Sequence, residues 1–223
     1  MIFHHFRKSF NIIADLVYPP RCPFCHAFVN KRYRPCHSCH NSIIRLDTDA
    51  HLELPGRIYL SRARSCFGYD GIVRELLHAY KYGNRLDCER FLADSLLEKA
   101  QSMGEFDCII SVPAQDKRMI SRGLDACALL ARRISQKSNV PYKSKILKRI
   151  RCVEPQVGLP RTQRMENVKG VFGITPGRDK VDRARVLLID DVLTTGATAN
   201  DCARALIKAG AQEVQALTVA RVL

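Results

Sequence analysis

Two adjacent acids, Asp190 and Asp191, follow four aliphatic residues in the stretch VLLIDDVLTTGAT, residues 186–198. Val186–Ile189 has the composition of a buried strand, and residues 198–209 have helical spacing before a glycine. The acids are therefore predicted at the carboxyl end of a strand, where open parallel sheets bind ligands. Carboxylates there can accept hydrogen bonds from vicinal sugar hydroxyls, or they can hold a divalent cation.

The turn after the acids, Thr194-Thr195-Gly196-Ala197-Thr198, is suited to an anion. Glycine lets the backbone approach a ligand closely, the threonine hydroxyls donate hydrogen bonds, and the amides at a helix start favour negative charge. Because carboxylates repel phosphate, the acids and the turn are predicted to hold different parts of one ligand. A sugar at the acids and a phosphate at the turn describe a ribose 5-phosphate.

Four cysteines near the N-terminus, Cys22, Cys25, Cys36 and Cys39, form two CxxC pairs separated by ten residues. Each pair can turn both thiolates toward one ion, and four thiolates satisfy the tetrahedral preference of Zn²⁺. A closed set of four ligands leaves no position for a reacting water, so the predicted zinc is structural. A nearby histidine replacing one cysteine, and two disulfides in a secreted protein, are the alternatives.

The rest of the composition predicts a soluble protein in a reducing, cytoplasmic compartment. Three further cysteines in apolar segments are predicted to be core residues: Cys108, Cys127 and Cys202. Residues 1–20 carry no small-residue cleavage site and are predicted as an amphipathic helix, not a signal peptide. No apolar run approaches the roughly 20 residues that a membrane span needs.

The elements that must position these residues alternate along the chain. Helical spacing in 71–83 and 87–100 is followed by an apolar strand pattern in 106–113 and by helical spacing again from Leu124. The acid motif begins the next strand and helix, and the last residues of the chain supply another strand. This order predicts an α/β fold with a parallel sheet flanked by helices.

Domain boundaries follow from the same patterns. Residues 41–65 show few periodic signals and are predicted as a link between modules. We expect three parts: the N-terminal helix over 1–20, a zinc-binding module over 21–55, and the α/β domain over 56–223.

The charge balance favours a polyanionic partner. Lys and Arg total 36 against 22 Asp and Glu, which gives a net charge of +14. Nucleic acid, pyrophosphate and acidic lipid would all be attracted. The densest basic run predicts a nucleic-acid contact, although an ordinary solvated surface explains such a run about as well; its residues are Lys143, Lys145, Lys148, Arg149 and Arg151.

The motifs also carry a resemblance to known families. VLLIDDVLTTGAT resembles the phosphoribosyl pyrophosphate signature of type I phosphoribosyltransferases. The four-cysteine knuckle is followed by further motifs in a fixed order: Lys81-Tyr82-Gly83, Val112-Pro113, Arg122-Gly123 and Gln156-x2-Leu159-x4-Arg164-x2-Asn167-Val168-x-Gly170-x-Phe172. Over about residues 18–223 this order is similar to that of the ComF family of competence proteins.

The resemblance implies a cytosolic protein with a phosphoribosyltransferase-like domain that handles incoming single-stranded DNA in natural transformation. Asp190 and Asp191 would contact ribose hydroxyls, residues 194–198 the 5-phosphate, and residues 112–115, which include Pro113 and Ala114, the pyrophosphate. The implied ligand is phosphoribosyl pyrophosphate with Mg²⁺, or a nucleotide. Other DNA-uptake or recombination proteins are candidate partners.

An enzymatic role is the alternative to a role in DNA uptake. A phosphoribosyltransferase acting on a base or amine needs basic side chains that stabilise the departing pyrophosphate. Arg161 and Arg164 are the candidate catalytic residues, and they would serve a DNA backbone equally well. The chain departs from the family pattern at Leu124-Asp125-Ala126 and at Pro113-Ala114-Gln115. A sensor that binds the ligand without turnover is the third possibility.

Overall fold

The computed structural model describes residues 19–82, 88–114, 125–151, 170–177 and 181–223. The predicted amphipathic helix over 1–20 lies almost entirely outside these ranges, as do Arg161 and Arg164. Among the described residues, no helix is long and apolar enough to cross a bilayer.

The described residues form six strands and five helices. The strands are β1 (Arg62–Gly68), β2 (Cys108–Ser111), β3 (Leu147–Arg149), β4 (Phe172–Ile174), β5 (Arg185–Leu193) and β6 (Glu213–Arg221). The helices are α1 (His37–Ser42), α2 (Gly71–Tyr82), α3 (Glu89–Gln101), α4 (Ala126–Ser138) and α5 (Ala197–Lys208). The helical spacing read from the sequence is confirmed for α2 to α5.

The main sheet has the strand order β1-β6-β5-β2, and every neighbouring pair is parallel. Alternate residues of β5 pack on opposite faces, as the two-residue period of a strand requires. Leu187 and Ile189 join a core with α2, α3 and α4, whereas Val186 and Leu188 join a second core with α5. The predicted parallel sheet with helices on both faces is therefore confirmed.

A second, antiparallel sheet of β3 and β4 lies against α5. The buried Asp201 side chain of α5 connects the two elements. Its carboxylate accepts hydrogen bonds from the backbone amides of Gly170 and Phe172, both at 2.8 Å, and from Nε of Arg204 at 2.7 Å. Burial alone would raise the pKa of Asp201, but these three donors outweigh it and lower the pKa.

The predicted link over residues 41–65 is wrong in its last part, because β1 begins at Arg62. Residues before β1 are also attached to the sheet: the Leu46 amide donates to the Cys66 carbonyl at 3.0 Å, and the Ala50 amide donates to the Ala63 carbonyl at 2.8 Å. The segment between the modules therefore runs along the outer edge of β1 rather than as a free linker.

Candidate functional site

The acid pair lies within β5, not after it. The strand continues to Leu193, and Asp190 stands opposite Thr218 of β6. The sequence-based end of this strand at Ile189 is thus four residues too early, although both acids still lie toward its carboxyl end. Both residues are half-buried rather than fully enclosed in the core.

The neighbouring strands β2 and β5 lead to opposite faces of the sheet. After β2 the chain enters α4, which packs on the face of Leu187 and Ile189; after β5 it enters α5, which packs on the other face. Such a divergence opens a crevice at the carboxyl ends of the two strands, where ligands of open parallel sheets bind. The acid pair and the turn that follows it stand at this crevice.

The end of β2 adjoins the acids. The Val112 amide donates to the Ile189 carbonyl at 2.9 Å, so Pro113 and Ala114 leave the sheet next to the acid pair. Both residues are half-buried. Their predicted contact with pyrophosphate stays a prediction, and Gln115 lies outside the described residues.

Asp190 is held in an unfavourable environment for a negative charge. Burial, followed by the nearby charge of Asp191, raises the pKa of Asp190 to about 7. Its Oδ1 accepts the backbone amide of Asp191 at 2.9 Å, and the Cys127 thiol lies 3.7 Å from the same oxygen. Cys127 is buried, as predicted from its apolar segment.

Two further charged groups belong to this site, although sequence analysis did not assign them to it. Lys81, in the last turn of α2, forms an ion pair with Oδ2 of Asp191. Asp125 caps α4 through a 3.0 Å hydrogen bond from the Ala128 amide, and burial raises the pKa of Asp125. The Lys81-Tyr82-Gly83 motif was a signal for the lysine, but not for its partner.

The turn after β5 begins α5 in the way that the sequence predicts. Gly196 precedes the helix with a φ of +83°, a left-handed conformation that favours glycine. A Cβ atom on Gly196 would also lie 2.7 Å from Cδ2 of Leu52. Thr194 is exposed and Thr195, Ala197 and Thr198 are half-buried, so the turn faces solvent.

The four predicted zinc ligands come together. The Sγ atoms of Cys22, Cys25, Cys36 and Cys39 all lie within 4.8 Å of one another, and those of Cys25 and Cys36 are 3.6 Å apart. Zn–S bonds of about 2.3 Å in a tetrahedron place sulfurs about 3.8 Å apart, so the four thiols fit one zinc ion. None of the four is in a disulfide.

Backbone amides support this thiol cluster. Burial alone would raise the pKa of the Cys22 thiol, but the amides of Cys25, Cys36 and Phe24 lower it to about 7. The module packs on the sheet domain through Phe24, whose ring meets Phe91 of α3 edge-on at 5.4 Å between centroids.

The predicted nucleic-acid residues differ in their environment. Lys145, Lys148 and Arg151 are exposed. Lys143 and Arg149 are half-buried, and the Arg149 guanidinium lies 4.8 Å from the centre of the buried Phe172 ring. The three exposed side chains are thus the ones available to a polyanion.

Comparison with known proteins agrees with the two modules. The fold defines an α/β protein with an N-terminal four-cysteine zinc ribbon: the family model described as the double zinc ribbon domain matches residues 13–50. Competence protein F of Haemophilus influenzae is 30% identical over 152 residues, which cover 66% of this chain and 66% of that protein. DNA utilization protein YhgH of Salmonella typhimurium is 27% identical over 214 residues, covering 91% and 90%. The chain belongs to the ComF family.

Solved structures similar to the chain include an amidotransferase and a phosphoribosyltransferase. The glutamine phosphoribosylpyrophosphate amidotransferase from B. subtilis, complexed with ADP and GMP, is 22% identical and covers 58% of this chain and 25% of its own, with a TM-score of 0.40. The adenine phosphoribosyltransferase from Leishmania tarentolae is 16% identical and covers 77% and 94%, with a TM-score of 0.42. At these values the likeness adds nothing to what the strand order already shows.

Proposed function

We propose that the chain binds the ribose 5-phosphate part of phosphoribosyl pyrophosphate, or of a nucleotide, at the crevice between β2 and β5. The observation that carries this proposal is the position of the acid pair and of residues 194–198 at the point where the two strands diverge. Carboxylates accept hydrogen bonds from ribose hydroxyls, and the amides of the first turn of α5 favour a phosphate.

The pyrophosphate end of the ligand is assigned to Pro113 and Ala114, which leave β2 beside the acids. Mg²⁺ would neutralise part of the pyrophosphate charge when it binds together with this ligand. A net charge of +14 on the chain would further attract such an anion.

We further propose that the protein acts in the cytoplasm on single-stranded DNA during DNA uptake. The names of the relatives support this: one is a competence protein and another a DNA utilization protein. Lys145, Lys148 and Arg151 supply an exposed basic surface for a DNA backbone. Four of the described aromatic residues are buried and unable to stack on a base: Phe67, Tyr80, Phe91 and Phe172.

Ligand binding is tested by thermal unfolding with phosphoribosyl pyrophosphate and Mg²⁺. We expect the melting temperature of the wild type to rise with ligand concentration. Asp190→Ala with Asp191→Ala should abolish this rise. Glu105→Ala with Asp107→Ala is the matched control, because these exposed acids precede β2 and so lie at the amino ends of the strands, opposite the candidate site. An equal rise in both double variants would contradict the assignment of the acid pair.

Release of pyrophosphate in the same mixtures separates the enzymatic alternative from binding. Turnover on any of a panel of bases and amines would favour a phosphoribosyltransferase. Binding without turnover would favour a DNA-uptake factor or a sensor.

DNA binding is tested by fluorescence anisotropy of a labelled oligonucleotide over a range of salt concentrations. Each lost phosphate contact reduces the slope of log K against log salt by about 0.7 for single strands. Lys145→Gln with Lys148→Gln should therefore reduce the slope by about 1.4. Arg183→Gln with Lys208→Gln removes the same charge from other exposed positions and should leave the slope nearly unchanged. Affinity that is independent of salt in the wild type would contradict the proposal.

A further inference from the structure

Lys81 stands at the candidate site with a role that ribose binding alone does not explain. Its ammonium forms an ion pair with Oδ2 of Asp191, and the side chains are 25% and 19% exposed, respectively. A lysine that is three-quarters buried on a carboxylate is a fixed part of the site rather than a solvated surface charge.

The groups around this lysine resemble the ligands of a metal ion. One oxygen each of Asp190 and Asp191 and the thiol sulfur of Cys127 lie within 4.8 Å of one another. Burial, and then the charges of Asp191, Asp190 and Asp125, raise the pKa of the Cys127 thiol, so the Asp125 carboxylate also lies near this group. Among the described residues, Lys81 is the cation that forms an ion pair with this acidic group. Without it, two adjacent carboxylates and a third nearby would attract a divalent cation.

The ammonium and a divalent cation would compete for the same oxygen of Asp191. The lysine is tethered to α2, so it loses no translational freedom when it pairs with the acid, whereas a free ion does. A metal ion that displaced the ammonium from Asp191 would also have to bind close to the positive charge of Lys81. Sugar hydroxyls are neutral, and they can donate to the carboxylates while the lysine stays in place.

We propose that Lys81 determines the specificity of the acid pair by occupying the place of a divalent cation, so that the pair binds hydroxyl groups and not a metal. The preference for ribose hydroxyls rests on the proposed function. The exclusion of cations rests on the ion pair alone.

The test is Mn²⁺ binding to the full-length, zinc-loaded protein, followed by the electron paramagnetic resonance signal of free Mn²⁺. Mn²⁺ prefers carboxylate over thiolate ligands, so the cysteine module does not compete for it. We expect Lys81→Met and Lys81→Gln each to bind one Mn²⁺ at least tenfold more tightly than the wild type. Lys81→Arg retains the charge and should remain close to the wild type. Lys81→Met combined with Asp191→Asn should lose the gained site.

The two proposals fail in distinguishable ways. Equal Mn²⁺ affinity in the wild type and in both neutral variants, each verified as folded by circular dichroism, would overturn the role of Lys81. A gain in Lys81→Arg as large as in Lys81→Met would overturn it as well, because charge would then not be the cause. Tighter Mn²⁺ binding in the neutral variants, with no binding of phosphoribosyl pyrophosphate to the wild type, would overturn the proposed function and leave the inference standing.

Discussion

Replacing Asp190 with asparagine should stabilise the protein in the absence of ligand. Burial and the charge of Asp191 raise the pKa of Asp190 from 3.8 to about 7. A carboxyl group whose pKa is higher in the folded state than in the unfolded state destabilises the fold as pH rises from the lower value to the higher one. Asparagine removes this cost, and its carbonyl oxygen can still accept the Asp191 amide.

The magnitude follows from the pKa difference. About three pKa units correspond to roughly 4 kcal/mol above pH 7, at 1.36 kcal/mol per unit. Solvent reaches this half-buried side chain and screens part of the cost, so we expect a gain of about 2 kcal/mol at pH 8. At pH 5 only about a third of the cost has developed, and the gain should fall below about 1 kcal/mol.

Urea unfolding of wild type and Asp190→Asn at pH 5, 6, 7 and 8, with zinc and without phosphoribosyl pyrophosphate, measures this gain. Asp107→Asn is the control. Hydrogen bonds and charge from Arg185 lower the pKa of Asp107 to about 2, so its contribution is complete above pH 5 and this variant should show no gain at any of these pH values. A gain for Asp190→Asn that is absent at pH 8, or equal at pH 5 and pH 8, would refute the reasoning.

Three other perturbations have expected outcomes. Asp201→Ala leaves Arg204 and the amides of Gly170 and Phe172 without their buried acceptor and should lower the free energy of unfolding by about 3 kcal/mol in urea titrations; a loss below about 1 kcal/mol would contradict the anchoring role of Asp201. Gly196→Ala places a Cβ atom against Leu52 at a positive φ, so it should destabilise by about 1–2 kcal/mol and weaken ligand binding in calorimetry; unchanged affinity would contradict the role of the turn. Removal of zinc by a chelator should expose the segment after Cys39 to proteases before the sheet unfolds. Unfolding of the zinc module and the sheet domain at the same chelator concentration would contradict the claim that zinc stabilises the N-terminal module separately.

The parallel sheet was predictable because Val186–Ile189 of β5 and Cys108–Ile110 of β2 are uninterrupted apolar runs. Val186–Ile189 is buried on both faces, and only a strand between two layers of helices needs that composition. Strand β1 was missed because its sequence, RARSCFG, alternates basic and small residues. Arg62 and Arg64 both pair with Asp49 from the preceding segment, and that long-range pairing has no signature in local sequence.

In the candidate site, too, the residues that lie close together in sequence were predictable, and the long-range contact was not. The acid pair, the turn and the four cysteines are each contiguous or regularly spaced, so their chemistry can be read locally. Lys81 lies 110 residues before its partner Asp191 in the sequence. A periodic helix pattern places such a lysine near the end of α2, but only the packing of that helix against the sheet decides which acid it meets.

The central claim is that the acid pair holds the ribose of a phosphorylated ligand. A crystal structure of the protein with phosphoribosyl pyrophosphate and Mg²⁺ tests it most directly. We predict ribose hydroxyls within hydrogen-bonding distance of the Asp190 and Asp191 carboxylates, and the 5-phosphate on residues 194–198. A phosphate bound elsewhere, or carboxylates that contact only a metal ion, would contradict the account.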